Sequence, residues 1–209
     1  PSYPTDSGAV RAIAQTPEVF EEQMAYLQEA GYVVIPLGAL EAHLTLATPL
    51  PAKPIVLTFD DGWQDQFVYA LPVLEAYHYP ATFFVFTNSI GQSDFFTWGQ
   101  LHTLVAAGMT IGDHTRSHPY LTHIKSEERL HDEIVGSRRL LERELGIPIR
   151  DFAYPFGQYD ASTTALVREA GYRGARGDFY TGPQSADKLY SLSAMNAPTS
   201  LERFVARFP

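Results

Sequence analysis

Ile55-Val56-Leu57-Thr58-Phe59-Asp60-Asp61-Gly62 reads as a short strand that ends in two adjacent carboxylates before a glycine turns the chain. Its first five residues are apolar, β-branched or aromatic, the composition of a strand buried on both faces. Two carboxylates side by side at the mouth of such a strand repel each other. They call for a nearby cation, most simply a metal ion. The alternative is a polar loop in which Asp60 caps a turn.

Outward from this stretch, the chain alternates helix and strand. On the N-terminal side, Thr16-Pro17-Glu18 opens a helix that runs to Gly31, with the capping hydroxyl, the proline and the acid each where a helix start favours them. Tyr32 to Ile35 reads as a strand, Leu37 to Leu44 as a short helix, and residues 1–15 as an arm or loop. On the C-terminal side, strands are expected at Ala81 to Phe86, Met109 to Ile111, Asp151 to Tyr154, Tyr172 to Ala175 and Leu189 to Met195. Helices are expected at Val68 to Tyr77, Thr97 to Ala107, Ser126 to Leu145, Ala161 to Ala170 and Ser200 to Phe208. About seven strands joined by helices predict a parallel α/β sheet, closed as a barrel or open and doubly wound. The polar residues favour the barrel. Asp60/Asp61, His114/His118 and the turn Tyr154-Pro155-Phe156-Gly157 each follow a strand, as chemistry does on one barrel rim. No Gly-rich phosphate fingerprint follows the first strand.

Gly112-Asp113-His114-Thr115-Arg116-Ser117-His118 sets two imidazoles four residues apart, a spacing that on one helical turn aims both at the same point. Taken alone, the pair reads as surface residues. With a carboxylate from Asp60/Asp61 it makes a two-histidine, one-carboxylate set that leaves positions open for water and substrate.

Thr58-Phe59-Asp60-Asp61-Gly62, His114-Thr115-Arg116-Ser117-His118 and Phe152-Ala153-Tyr154-Pro155-Phe156-Gly157, in this order, resemble the first three motifs of the polysaccharide deacetylases, carbohydrate esterase family 4. The resemblance covers roughly residues 17–209 and is nearest to the branch that includes deacetylases of biofilm poly-N-acetylglucosamine. It implies a distorted, often seven-stranded (β/α) barrel in a single catalytic domain, a hydrolase that removes acetyl groups from N- or O-acetylated sugars. It also implies that Asp61, His114 and His118 bind a divalent metal, usually Zn2+, with Co2+ or Ni2+ as substitutes, and that Asp60 is the general base. Those roles suit the chemistry, because an amide carbon is a poor electrophile and water a poor nucleophile. The backbone amide of Phe156 is then placed to hold the oxyanion. Trp63, Tyr120, Tyr154, Pro155 and Tyr159 flank the motifs as candidate glycan contacts, the rings by stacking on sugar faces; rim packing is the alternative for each.

The sequence departs from the family pattern in two places. No histidine follows His131, where many members carry a C-terminal histidine as the acid for the leaving amine; the related branch carries a Tyr-His-type segment upstream of the first helix. His123 is the remaining candidate. His43, His78, His102 and His131 fall in or beside expected helices, as solvated or packed residues. Ala153 stands where an arginine of the third motif often pairs with the base, which leaves the orientation of Asp60 without an explanation. Arg173, Arg176 and Asp178 are candidates for a fourth motif.

With 15 basic and 24 acidic residues, a net charge of −9, and no basic stripe, nucleic acid is not an expected partner. No apolar run reaches the roughly 18 residues of a membrane span, and no signal segment opens the chain. The start Pro1-Ser2-Tyr3-Pro4 fits a trimmed secreted protein, and a polymer substrate implies a secreted or periplasmic location. The oligomeric state is not legible. The absence of cysteine excludes disulfides and thiolate metal sites. Two competing functions remain: a metal-dependent O-acetyl esterase of the xylan type, and a carbohydrate-binding pseudoenzyme. A two-carboxylate glycosidase would leave the histidine pair without a role.

Overall fold

The computed structural model describes residues 15–177 and 182–209. Residues 1–14 of the expected arm and Asp178 lie outside the described residues. Gln15, the last residue of that arm, donates through its amide to the carbonyl of Pro198 at 3.2 Å.

Thr16 caps helix α1 (Pro17–Glu29) by accepting from the amide of Val19, and the helix buries Met24 and Leu27. Gly31, with φ of +75°, turns the chain into β1 (Val33–Val34). Helix α2 (Leu37–Leu46) follows, and then β2 (Pro54–Ile55) and β3 (Thr58–Phe59). The stretch 55–59 therefore differs from the single, doubly buried strand expected of it. Its first part pairs with β1 and its second with β4, so the ladder changes partner midway and both parts are only half-buried.

From β3 onward the expected alternation holds. A π turn (Gln66–Ala70) leads into α3 (Leu71–Ala76), then come β4 (Thr82–Val85) and α4 (Trp98–Ala106). Thr97 and Gln100 form a reciprocal capping box at the start of α4. Strand β5 (Thr110–Asp113) precedes a long helix made of α5 (Glu127–His131), a second π turn (Asp132–Gly136) and α6 (Ser137–Leu145). The chain continues through β6 (Asp151–Ala153), α7 (Ala161–Glu169, capped by Asp160), β7 (Gly174–Arg176) and α8 (Leu201–Arg207). The strand expected at 189–195 is reduced to one parallel bridge, Leu192 to Arg176.

Strands β3-β4-β5-β6-β7 lie side by side in that order, all parallel, as a curled half-barrel sheet. Successive side chains face opposite sides. Phe83, Ile111, Phe152 and Ala175 enter the larger core under the outer helices with Leu74, Leu101, Leu104, Ile134 and Leu141. Phe84 and Ala153 face inward onto Leu37 of α2 and Leu192. A side chain at Gly112 would put its Cβ 2.4 Å from the Phe84 ring, so this position of β5 has room only for hydrogen. Replacing a fully buried phenylalanine such as Phe83 by alanine costs about 3–5 kcal/mol. Because the five strands of this sheet run the same way, their C-terminal ends share one rim, and the carboxylates and imidazoles stand there.

Candidate metal centre and active site

Three donor atoms meet at the rim. Asp61 Oδ1 lies 3.6 Å from His114 Nε2 and 3.3 Å from His118 Nε2, and the two Nε2 atoms are 3.1 Å apart. Tetrahedral coordination with bonds of about 2.0–2.1 Å sets donors about 3.3–3.4 Å from one another. The triangle therefore fits one divalent ion, and these three side chains form a possible metal site. His114 Nδ1 lies 2.7 Å from the carbonyl oxygen of Ala153, which can only accept, so Nδ1 carries the proton and Nε2 presents its lone pair to the centre. Burial pushes both imidazoles down to about 4, which keeps them neutral and competent as ligands at neutral pH. The Trp63 indole donates to Asp61 Oδ2 at 3.2 Å, leaving Oδ1 for the centre. Burial raises Asp61, against the opposing pull of His114.

The convergence is not made by a helical turn, as the four-residue spacing predicts. Residues 114–118 form a loop in which Thr115 and His118 have φ of 74° and 55°. Asp61 (72°) and Phe156 (59°) share this conformation, so four of the eight left-handed non-glycine residues among the described residues stand at this one site. Such backbone is costly for residues with a Cβ and persists where surrounding bonds over-determine it. Asp113, fully buried at the end of β5, supplies some of them. Its Oδ1 accepts from the Thr115 amide at 2.8 Å, and its Oδ2 meets the hydroxyls of Ser137 and Tyr172. Burial pushes the Asp113 carboxyl up to about 7 despite those bonds.

Asp60 stands outside the three-donor group. Its Oδ2 accepts from the Arg176 guanidinium, and its Oδ1 is buried with no hydrogen-bond partner among the described residues. Burial opposes its charge, but Arg176 and the imidazoles outweigh it and hold the carboxyl below the usual range. Arg176 comes from the end of β7, 116 residues away, and is itself buried, with its guanidinium over the Phe84 ring at 5.6 Å. It takes the place of the arginine missing at Ala153. Gln66 in the first π turn donates to the Asp60 carbonyl at 2.7 Å. Arg173, weighed with Arg176, belongs instead to the opposite rim, between Glu41 and Asp151.

The aromatic candidates separate. Tyr120 and Phe156 are stacked at 4.0 Å and 14°, are 44% and 41% exposed, and Phe156 packs on His118 at 4.6 Å. They form an open apolar platform beside the donors. Trp63 is half-buried and stacked on Phe95 at 4.4 Å. Tyr154 and Pro155 cannot stack on a glycan. Tyr154 is 0% exposed and packed on Phe152 and Tyr159, and Pro155 is buried beneath the turn. Tyr159 lines a separate groove of about 600 Å³ along α7, with Asp160 and Arg168. His123 is exposed and stacked on Tyr120 at 5.2 Å. No helix among the described residues is long and apolar enough to cross a membrane.

Comparison with known proteins agrees with this geometry. Residues 47–175, more than half of the chain, match the family model described as polysaccharide deacetylase; Arg176 is the first residue beyond the match. A Bacillus subtilis protein named for these deacetylases, YxkH, is 29% identical over 154 residues, 74% of this chain and 55% of its own length. The poly-beta-1,6-N-acetyl-D-glucosamine N-deacetylase of Escherichia coli K12 is 24% identical over 194 residues, 72% of this chain and 29% of its own. The chain thus spans about half, or less, of the length of these curated relatives. Among solved structures, the Streptococcus pyogenes deacetylase PplD in complex with acetate superposes with a TM-score of 0.84 at 26% identity, over 97% of this chain and 92% of that one. A half-barrel of parallel strands, three metal-donor atoms on its rim and a matching family model lead to one assignment: the chain belongs to the polysaccharide deacetylase family.

Proposed function

We propose that residues 1–209 make up one catalytic domain, a metal-dependent hydrolase that releases acetate from an N-acetylated glycan, an N-acetylglucosamine polymer. The observation that carries this reading is the division of labour between neighbouring carboxyls. Asp61 joins two neutral imidazoles around one point, while Asp60 is kept ionised by Arg176 with one oxygen unpaired. A protein that only binds sugar needs no such base.

Asp61, His114 and His118 are the ligands in this reading, and two imidazoles with one carboxylate suit zinc, with cobalt or nickel as substitutes. When bound, the ion supplies Lewis acidity, which acidifies water and polarises the acetyl carbonyl. Asp60 Oδ1 takes the proton of the attacking water; Arg176 keeps that carboxylate charged and oriented. The amide of Phe156 donates to the oxygen of the acetyl carbon as charge collects on it. As the C–N bond breaks, the proton held on Asp60 is available to the departing sugar amine, and Asp60 is ionised again. Tyr120 and the Phe156 ring offer a face for the sugar next to the reacting one. The name of the E. coli relative supports an N-acetylglucosamine polymer, and such polymers place the activity at the cell envelope or outside the cell.

The test is acetate release from N-acetylglucosamine oligomers and from acetylxylan, with Asp60→Asn and His114→Ala as controls. Release from the amino-sugar oligomers that stops with a chelator, returns with zinc and is lost in both variants is the expected result. Turnover of acetylxylan alone would assign the domain to O-acetyl esters. Glycan binding without metal-dependent release would make it a binding module.

A further inference from the structure

The loop that carries both imidazoles makes a bond of its own, from the His118 amide to Thr115 Oγ1 at 3.0 Å, and is otherwise held from outside. Thr115 and His118 are left-handed, and a β-branched residue is especially unsuited to that conformation. Part of the brace comes from the segment after β4, where the amides of Thr87 and Asn88 donate to the carbonyls of Thr115 and Arg116, and part from the outer layer. Between α5 and α6 the helix widens into the π turn Asp132–Gly136, a local winding common at functional sites. Glu133, in this turn, is 4% exposed. Its Oε2 accepts from the amides of Ser117 at 2.8 Å and Arg116 at 3.1 Å, and its Oε1 accepts from the Ser117 hydroxyl. Its backbone carbonyl also lies 3.1 Å from the Arg116 amide. Every residue between Thr115 and His118 is thus bonded to one buried side chain. Ser137, directly after the turn, faces Asp113 at 2.6 Å, so the strand end before the loop is held from the same place. Gly136 completes the turn. A Cβ there would lie 2.4 Å from Asp132 Oδ1, in the space taken by the Arg116–Asp132 ion pair.

We propose that Glu133 is a positioning residue of the metal centre, one that shapes the two-imidazole loop before the ion arrives. It acts through the backbone amides of Arg116 and Ser117 and through the Ser117 hydroxyl. The proposal rests on the reading of Asp61, His114 and His118 as ligands.

It is tested by zinc affinity and by the visible absorption of the cobalt-loaded protein for wild type, Glu133→Ala and Glu133→Gln, with the folded fraction of each metal-free form measured by circular dichroism. Glutamine keeps an oxygen for the two amides and turns an NH2 toward the Ser117 oxygen. Glu133→Ala is expected to weaken zinc about 10- to 100-fold and to change the cobalt band, while Glu133→Gln stays within a few-fold of wild type with its spectrum. Should Glu133→Ala not fold, Ser117→Ala removes the single hydroxyl bond and is expected to weaken zinc about 2- to 5-fold. The proposal is overturned if wild type binds one equivalent of zinc and the folded fraction of the variant binds it equally well with the same cobalt spectrum. A wild type that binds no zinc overturns the ligand assignment instead.

Discussion

Replacing Arg176 by methionine removes the countercharge of Asp60 while keeping an unbranched chain in its place. The pair is shielded from solvent, with the guanidinium side chain 5% and the carboxylate side chain 29% exposed. Burial opposes the charge on Asp60, and the guanidinium outweighs it and holds the carboxyl below the usual range. Removing one partner of a buried pair costs roughly 3–5 kcal/mol. Asp60 avoids part of this cost by taking a proton. Its native pKa is depressed, so the base form is present down to acidic pH and the pair adds stability above the unfolded carboxyl pKa, lost as pH falls through the native value. Without Arg176, the acid limb of the rate profile should move to higher pH, with most activity recovered at high pH. Initial rates of acetate release from pH 4.5 to 9.5, with zinc saturating, measure this directly. If Arg176→Met leaves the acid limb where it is in wild type while Asp60→Asn still loses activity by about 10²–10⁴-fold, then Arg176 does not control the base.

Other outcomes follow from the same geometry. Tyr120→Ala should raise KM for glycan oligomers about 2- to 10-fold with kcat nearly kept, since one stacked aromatic face contributes about 0.5–1.5 kcal/mol; an unchanged KM would remove the platform from substrate binding. Trp63→Phe keeps the stack on Phe95 but deletes the indole donor to Asp61, and should weaken zinc about 10-fold as outer ligand partners do; equilibrium dialysis against a chelator decides it. At the opposite rim, burial and then the Asp151 charge push Glu41 up to about 8. The folded state therefore holds a proton that the unfolded state releases near pH 4.5, so this group stabilises below that pH and the contribution is lost as pH rises through about 8. Glu41→Gln should flatten the fall of Tm between pH 5 and 9; parallel curves for variant and wild type would show that Glu41 carries no extra proton.

Sequence pattern reached the elements whose causes are local. Thr16, Thr97 and Asp160 cap helices because each helix start needs an acceptor for free amides, and that need is written in neighbouring residues. The three donor side chains meet because Asp61 follows β3, His114 and His118 lie on the loop after β5, and the parallel sheet brings both strand ends to one rim. Arg176 was named only as one of several charged candidates, because its partner is 116 residues away and nothing in Gly174-Ala175-Arg176-Gly177 announces it. The left-handed loop at Thr115 and His118 was hidden for a related reason. Its shape is imposed by Asp113 and Glu133, while the local spacing alone suggests a helical turn. Residues 55–59 have uniform strand composition, yet their pairing changes partner midway. Tyr154 shows the reverse error, since a tyrosine beside a motif looks available in sequence and here fills the space between β6 and α7.

The central claim is that Asp61, His114 and His118 hold one divalent ion while Asp60 remains outside its coordination. Zinc titration of the metal-free protein, with Asp60→Asn and His114→Ala alongside, tests it most directly. One equivalent should bind to wild type and to Asp60→Asn with affinities within a few-fold, and His114→Ala should lose at least two orders of magnitude. Stoichiometric zinc in His114→Ala, or none in wild type, would contradict the account.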